Sequence, residues 1–156
     1  MKIEASEDKL QYAIEVCRKY SQIRIIAEEA EASWKQNLEM VAESKYPDEK
    51  EMYEQQAAED LAKYTAAREW LELVNVTVAK IHEQKARMVI RQNCLAGSTM
   101  KSILMDNGEK RYMSRSTATR YKKAGLSEMA MLLSPIQSRL GQLEKKFLEM
   151  THFEAI

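Results

Sequence analysis

The sequence predicts an all-α protein, and three observations carry that expectation. Apolar residues recur at helical spacing over long stretches. Helix breakers are scarce, with four glycines and two prolines in 156 residues. Ala, Glu, Lys, Leu and Met are abundant, and these side chains lose little rotamer freedom in a helix. The expected order is long amino-terminal helices, then a helix-turn-helix, then a carboxy-terminal helix.

The first helix is anchored by Leu10, Ile14 and Cys17, with Tyr12, Val16, Tyr20, Ile23 and Ile26 widening the stripe to a face that can be buried. A length of about 25 to 30 residues is expected from that periodicity. Around Lys45-Tyr46-Pro47-Asp48-Glu49-Lys50 a turn is predicted, because proline lacks an N–H and forces the residue before it out of the α region. A long helix follows from near Asp48 to Leu95, with Leu61, Tyr64, Ala67, Leu71, Val74, Val78 and Ile81 on one side. The β-branched run Val74-Asn75-Val76-Thr77-Val78 marks a potential kink near Asn75.

Ala96-Gly97-Ser98-Thr99 is the next punctuation, with Gly97 suited to a helix C-cap and Ser98 or Thr99 to an N-cap. Beyond it the sequence suggests a short positioning helix from Thr99 to Gly108, a turn from Glu109 to Met113 and a second helix from Ser114 to Leu133. A hairpin competes with the first two of these. Asn107-Gly108 is a strong turn signal and would set Ile103-Leu104-Met105 against Arg111-Tyr112-Met113. Ser134-Pro135 should end the second helix, with Pro135 opening another. In that last helix Ile136, Leu140, Leu143, Phe147 and Met150 are spaced as a heptad seam, which either folds back onto the body or mediates self-association. Three regions are expected: a helical scaffold or partner-binding part over 1–84, a DNA-binding part over 85–134 and the carboxy-terminal helix over 135–156.

Net charge is zero over the chain, but the halves differ. Residues 1–60 carry eight Lys and Arg against fifteen Asp and Glu, and residues 61–156 carry sixteen against nine. Such a split suits an acidic partner-facing part and a basic ligand-facing part. The cations are densest from 110 to 123, where Lys110, Arg111, Arg115, Arg120, Lys122 and Lys123 occur with no acid among them.

The helix from Ser114 is therefore the candidate nucleic-acid site. Ser114 can cap it by accepting from an amide two or three residues on. Arg115, Ser116 and Thr117 then occupy the first turn, where free amides and the helix dipole favour phosphate. Thr119, Arg120 and Lys123 extend the surface by a turn. Arginine can read guanine through two parallel hydrogen bonds, Ser and Thr can contact base or phosphate, and lysine mainly supplies charge to phosphate. Arg115, Ser116, Thr119 and Arg120 are thus assigned to base edges, and Lys110, Arg111, Lys122 and Lys123 to the backbone. Ala118, Tyr121, Leu126, Met129 and Leu132 or Leu133 are expected to pack inward.

The run Ser114-Arg115-Ser116-Thr117-Ala118-Thr119-Arg120-Tyr121, with Lys123-Ala124-Gly125-Leu126 and Met129-Ala130-Met131-Leu132-Leu133, resembles the second helix of sigma-factor region 4 and of phage late-transcription regulators of the RinA and ArpU type. The resemblance covers about residues 85 to 133. It implies a phage or prophage transcription regulator that binds promoter double-stranded DNA, with RNA polymerase as a partner and a homodimer where half-sites are paired.

Other chemistries find little support. Cys17 and Cys94 are too few and too far apart in sequence for a disulfide framework and read as reduced thiols of a cytoplasmic protein. His82 and His152 stand apart, no set of residues has metal-ligand spacing, and neither a glycine-rich phosphate loop nor a nucleophile elbow occurs. No enzyme, cofactor, metal or membrane association is expected. The competing reading is a helical assembly or interaction protein whose basic patch binds an acidic partner; a packaging or replication accessory protein is a third.

Overall fold

The computed structural model describes residues 6–97, 105–106, 110–111 and 113–149, and the fold is all-α. Helix α1 spans Glu7–Glu43 and α2 spans Pro47–Ala79. Helix α3 spans Gln84–Val89 and continues as a π-helical segment over Ile90–Leu95. Two short strands, β1 (Met105–Asp106) and β2 (Lys110–Arg111), precede α4 (Arg115–Leu133). A 3-10 turn over Ser134–Ile136 leads into α5 (Gln137–Glu149).

Helix α1 has 37 residues and is longer than its apolar stripe suggested. Beyond Ile26 the sequence turns acidic and polar but contains no glycine or proline, so nothing stops the helix before Ser44. Pro47 opens α2, where the missing N–H costs nothing, and Asp48 and Glu49 in the first turn complement the helix dipole.

The second long helix does not reach Leu95, and its break lies at Lys80–Glu83 rather than near Asn75. Val74 and Val78 are fully buried, so packing outweighs the small helical disfavour of β-branched side chains. The break itself is built by partners for the groups that a helix end leaves unsatisfied. The Arg87 guanidinium donates to the Ile81 carbonyl at 3.1 Å, and the Glu128 carboxylate accepts from the His82 amide at 2.9 and 3.0 Å.

The chain divides into two compact units, each drawn from separate stretches of sequence. The first comprises Met1–Ser21 with Leu73–Gln137. Its core includes Val16, Val74, Val78, Ile81, Val89, Ile90, Met129 and Leu133. Residues 85–134 therefore share a packed unit with the start of α1 and the end of α2. The second unit comprises Gln22–Glu72 with Ser138–Ile156, around Ile23, Trp70, Leu140, Leu143 and Phe147. Asp60 is buried there and accepts from Ser33 at 2.6 Å, Asn37 at 2.8 Å and Gln56 at 3.2 Å.

Three of the five seam residues, Leu140, Leu143 and Phe147, are at most 1% exposed within the single chain. Ile136 is half-buried, and the side chain of Met150 lies outside the described residues. The seam folds back onto its own unit. Among the described residues no helix is long and apolar enough to cross a membrane.

Candidate nucleic-acid interface

The capped start of α4 forms as its sequence predicts. Ser114 is extended at φ −71° and ψ 157°, and its Oγ accepts from the Thr117 amide at 3.2 Å. The same oxygen lies 2.7 Å from Thr117 Oγ1, to which it donates, and 3.3 Å from Ser116 Oγ. Thr117 is half-buried and committed to this cap, so it is a structural hydroxyl in the free chain.

Arg115, Ser116, Thr119, Arg120 and Lys123 are exposed. Arg115, Thr119 and Lys123 follow one another at i, i+4 and i+8, while Ser116 and Arg120 form a parallel row of two, so the five share one flank. None of Arg115, Arg120 and Lys123 forms an ion pair among the described residues. The Arg120 guanidinium lies 5.7 Å from the centroid of the Tyr121 ring, a cation–π contact that steadies it. Ala118, Leu126, Met129 and Leu133 are buried as expected, and Tyr121 and Leu132 are half-buried.

Lys122 departs from the group. It is half-buried and lines a cavity of about 370 Å³ with Ile14, Cys17, Arg18, Asn93, Cys94 and Leu126. Lys122 stands roughly 100° around the helix from Lys123, beside the buried row of Leu126 and Met129, and two turns along from Arg115. Lys110 and Arg111 lie on β2, and their side chains fall outside the described residues.

The positioning helix requires correction. Met105 and Asp106 are extended and pair antiparallel with Arg111 and Lys110, in the register of the hairpin alternative, so a helix from Thr99 to Gly108 does not run through them. The parts of that expected helix at 99–104 and 107–108 lie outside the described residues. The reason for the pairing is local: Asn107-Gly108 favours reversal of the chain over its continuation in a helix. The helix that does support α4 is α3. Gly125 meets it so closely that a Cβ would stand 2.6 Å from Ile90 Cγ1 and 3.2 Å from the Ala86 carbonyl oxygen. The connection from α3 to α4 is accordingly much longer than the turn of a tight helix-turn-helix.

Two features were hidden from the sequence. Cys17 and Cys94, 77 positions apart, line the same cavity. The π turn that carries Cys94 shows itself only as burial of Ile90 and Leu95 five residues apart, the spacing of that helix type. His82 enters the structure through its backbone amide, and His152 lies outside the described residues. Among the described residues no group of three or more His, Cys, Asp or Glu side chains is placed to hold a metal ion.

No family model, curated protein or solved structure matches the chain.

Proposed function

We propose that the protein is a sequence-specific double-stranded DNA-binding regulator of transcription that lays the first turns of α4 in the major groove. The observation that carries this reading is the exposed, acid-free flank of Arg115, Ser116, Thr119, Arg120 and Lys123 on a helix whose start is already capped. Three cations without an ion pair among the described residues attract phosphate, and two of them are arginines with the planar fork that guanine edges accept. A helix of 19 residues is long enough to enter the groove at one end while Leu126, Met129 and Leu133 hold the other in the core.

The proposed division of labour follows side-chain exposure. Arg115, Thr119, Arg120 and Ser116 remain the base-reading group, and Lys123 the phosphate contact. Lys122 faces the cavity and Thr117 serves the cap, so both leave the ligand-facing set. The resemblance to phage late-transcription regulators supports the same reading from residues alone and adds RNA polymerase as a partner. A homodimer reading paired half-sites would associate through a surface other than Leu140, Leu143 and Phe147, which are already packed.

The test is selection of bound duplexes from a random pool, followed by sequencing. Wild-type protein is expected to enrich a defined motif, Arg115→Ala or Arg120→Ala to relax it at individual positions by about 1–3 kcal/mol each, and Lys123→Ala to weaken all duplexes alike. Recovery of an unenriched pool by the wild type, or unchanged retention by an Arg115→Ala, Arg120→Ala double variant, would refute the reading.

A further inference from the structure

The first unit holds a second chemical site, separate from the flank of α4 assigned to DNA. Cys17 on α1 and Cys94 on the π-helical segment both line a cavity of about 370 Å³, together with Lys122 and Arg18. Cys17 is 8% exposed, and its Sγ lies 3.9 Å from Met129 Sδ. Cys94 is half-buried and reaches the cavity beside Asn93, whose Oδ1 is 3.9 Å from Cys94 Sγ. One sulfur is thus accessible and the other lies behind it. Where intracellular thiols pair, the usual purpose is transient redox chemistry rather than structural bonding.

We propose that Cys94 and Cys17 form a reversible dithiol–disulfide site for small hydroperoxides, with Cys94 as the attacking sulfur and Cys17 as the resolving one. A thiol hydrogen bond from Cys17 holds the Cys94 thiol below its usual range, and the Lys122 ammonium lowers it further against the opposing effect of burial. Cys17 is pushed the other way, first by the same hydrogen bond and then by burial. The asymmetry gives each sulfur one role.

In the first step the Cys94 thiolate attacks one peroxide oxygen. An S–O bond forms, the O–O bond breaks, and the departing alkoxide or hydroxide takes a proton to leave as alcohol or water. In the second step Cys17 sulfur attacks the Cys94 sulfenic acid. The S–S bond forms, the S–OH bond breaks, and the hydroxide leaves as water with the Cys17 proton. Two electrons pass from the two thiols to the peroxide, and an external dithiol reverses the change. The π turn contributes here by placing Cys94 at the cavity, as π turns often do at functional positions.

The full chain treated with stoichiometric hydrogen peroxide should lose both free thiols together and 2 Da in mass, giving a Cys17–Cys94 cross-linked peptide that dithiothreitol restores. Cys17→Ser should stop at a Cys94 sulfenic acid that dimedone traps, and Cys94→Ser should leave Cys17 inert. Lys122→Met, a change at the cavity edge that keeps both thiols, should slow iodoacetamide capture of Cys94 at neutral pH by about fivefold. Far-UV circular dichroism identifies any variant that has lost its fold, and the wild-type mass shift and the Lys122→Met rate stand without the serine variants. Cross-links between chains in place of the internal one, a Cys94 no more reactive than free cysteine, or independent loss of the two thiols would overturn the proposal. None of these outcomes depends on DNA binding.

Discussion

Gly125 of α4 lies against Ile90 so closely that a Cβ at that position would stand 2.6 Å from Cγ1 and 3.1 Å from Cδ1 of the isoleucine. The Ala86 carbonyl oxygen blocks a second direction at 3.2 Å, so retreat of one side chain does not make room. The glycine sets the distance between α3 and the helix proposed to meet DNA. Gly125→Ala is expected to cost about 1–3 kcal/mol through overpacking, whereas Gly141→Ala in α5, where nothing lies within 4 Å, should gain about 0.5–1 kcal/mol. Thermal unfolding of the two single variants checks this, and a destabilised Gly141→Ala would count against it as much as a tolerated Gly125→Ala.

Glu128 holds the chain reversal between α2 and α3 from the side of α4. Both carboxylate oxygens accept from the His82 amide, at 2.9 and 3.0 Å. Glu128→Ala should cost about 1 kcal/mol, comparable to loss of a helix cap. Hydrogen exchange at the His82 amide should accelerate in that variant while amides in the middle of α1 keep their protection.

In the second unit the buried Asp60 carboxylate gathers donors from α1 and from its own helix. Asp60→Ala leaves Ser33 and Asn37 without that acceptor and should destabilise by about 1–3 kcal/mol. Denaturant melts would measure it. A double variant with Ser33→Ala should lose less than the sum of the two single changes, because the pair shares one interaction.

The half-buried cluster around Tyr64 supplies a pH signature. A hydrogen bond from Tyr64 and the Lys35 ammonium, 2.9 Å from Glu31 Oε1, hold the Glu31 carboxyl below its ordinary value. A depressed folded-state value means the contribution is present above the unfolded titration point and is lost as pH falls through the folded one. NMR titration should show the Glu31 carboxyl titrating below a model glutamate, and Tyr64→Phe should move it upward. The ring itself stacks on Trp34 with centroids 6.4 Å apart, so phenylalanine keeps the packing while removing the hydroxyl.

Local chemistry was the part of the structure legible from sequence. Ser114 announced its cap because a hydroxyl before a helix has few better uses, and Pro47 and Gly97 marked boundaries because their backbones allow little else; Gly97 takes φ +74°. Ala118, Leu126, Met129 and Leu133 followed from periodicity alone. The rest depends on contacts between distant segments. The end of α2 is fixed by Arg87 and Glu128, neither of which carries a breaker signal. Gly125 looked like a weak point in a helix until Ile90 arrived beside it. Lys122 belonged to a run of cations by position and to the thiol cavity by direction, because it sits beside the buried row of Leu126 and Met129. The cavity shared by Cys17 and Cys94 joins two elements whose pairing no local pattern encodes.

The central claim, that the exposed cations of α4 bind duplex DNA, is tested most directly by the salt dependence of binding. Fluorescence anisotropy with the selected duplex should give a logarithm of the association constant that falls linearly with the logarithm of salt concentration. Replacing Arg115, Arg120 and Lys123 together by alanine should lower the affinity at every salt concentration and make that slope shallower by about 1, for the phosphate that Lys123 no longer neutralises. A wild-type affinity that does not fall with salt, or an identical slope in the triple variant, would contradict the account.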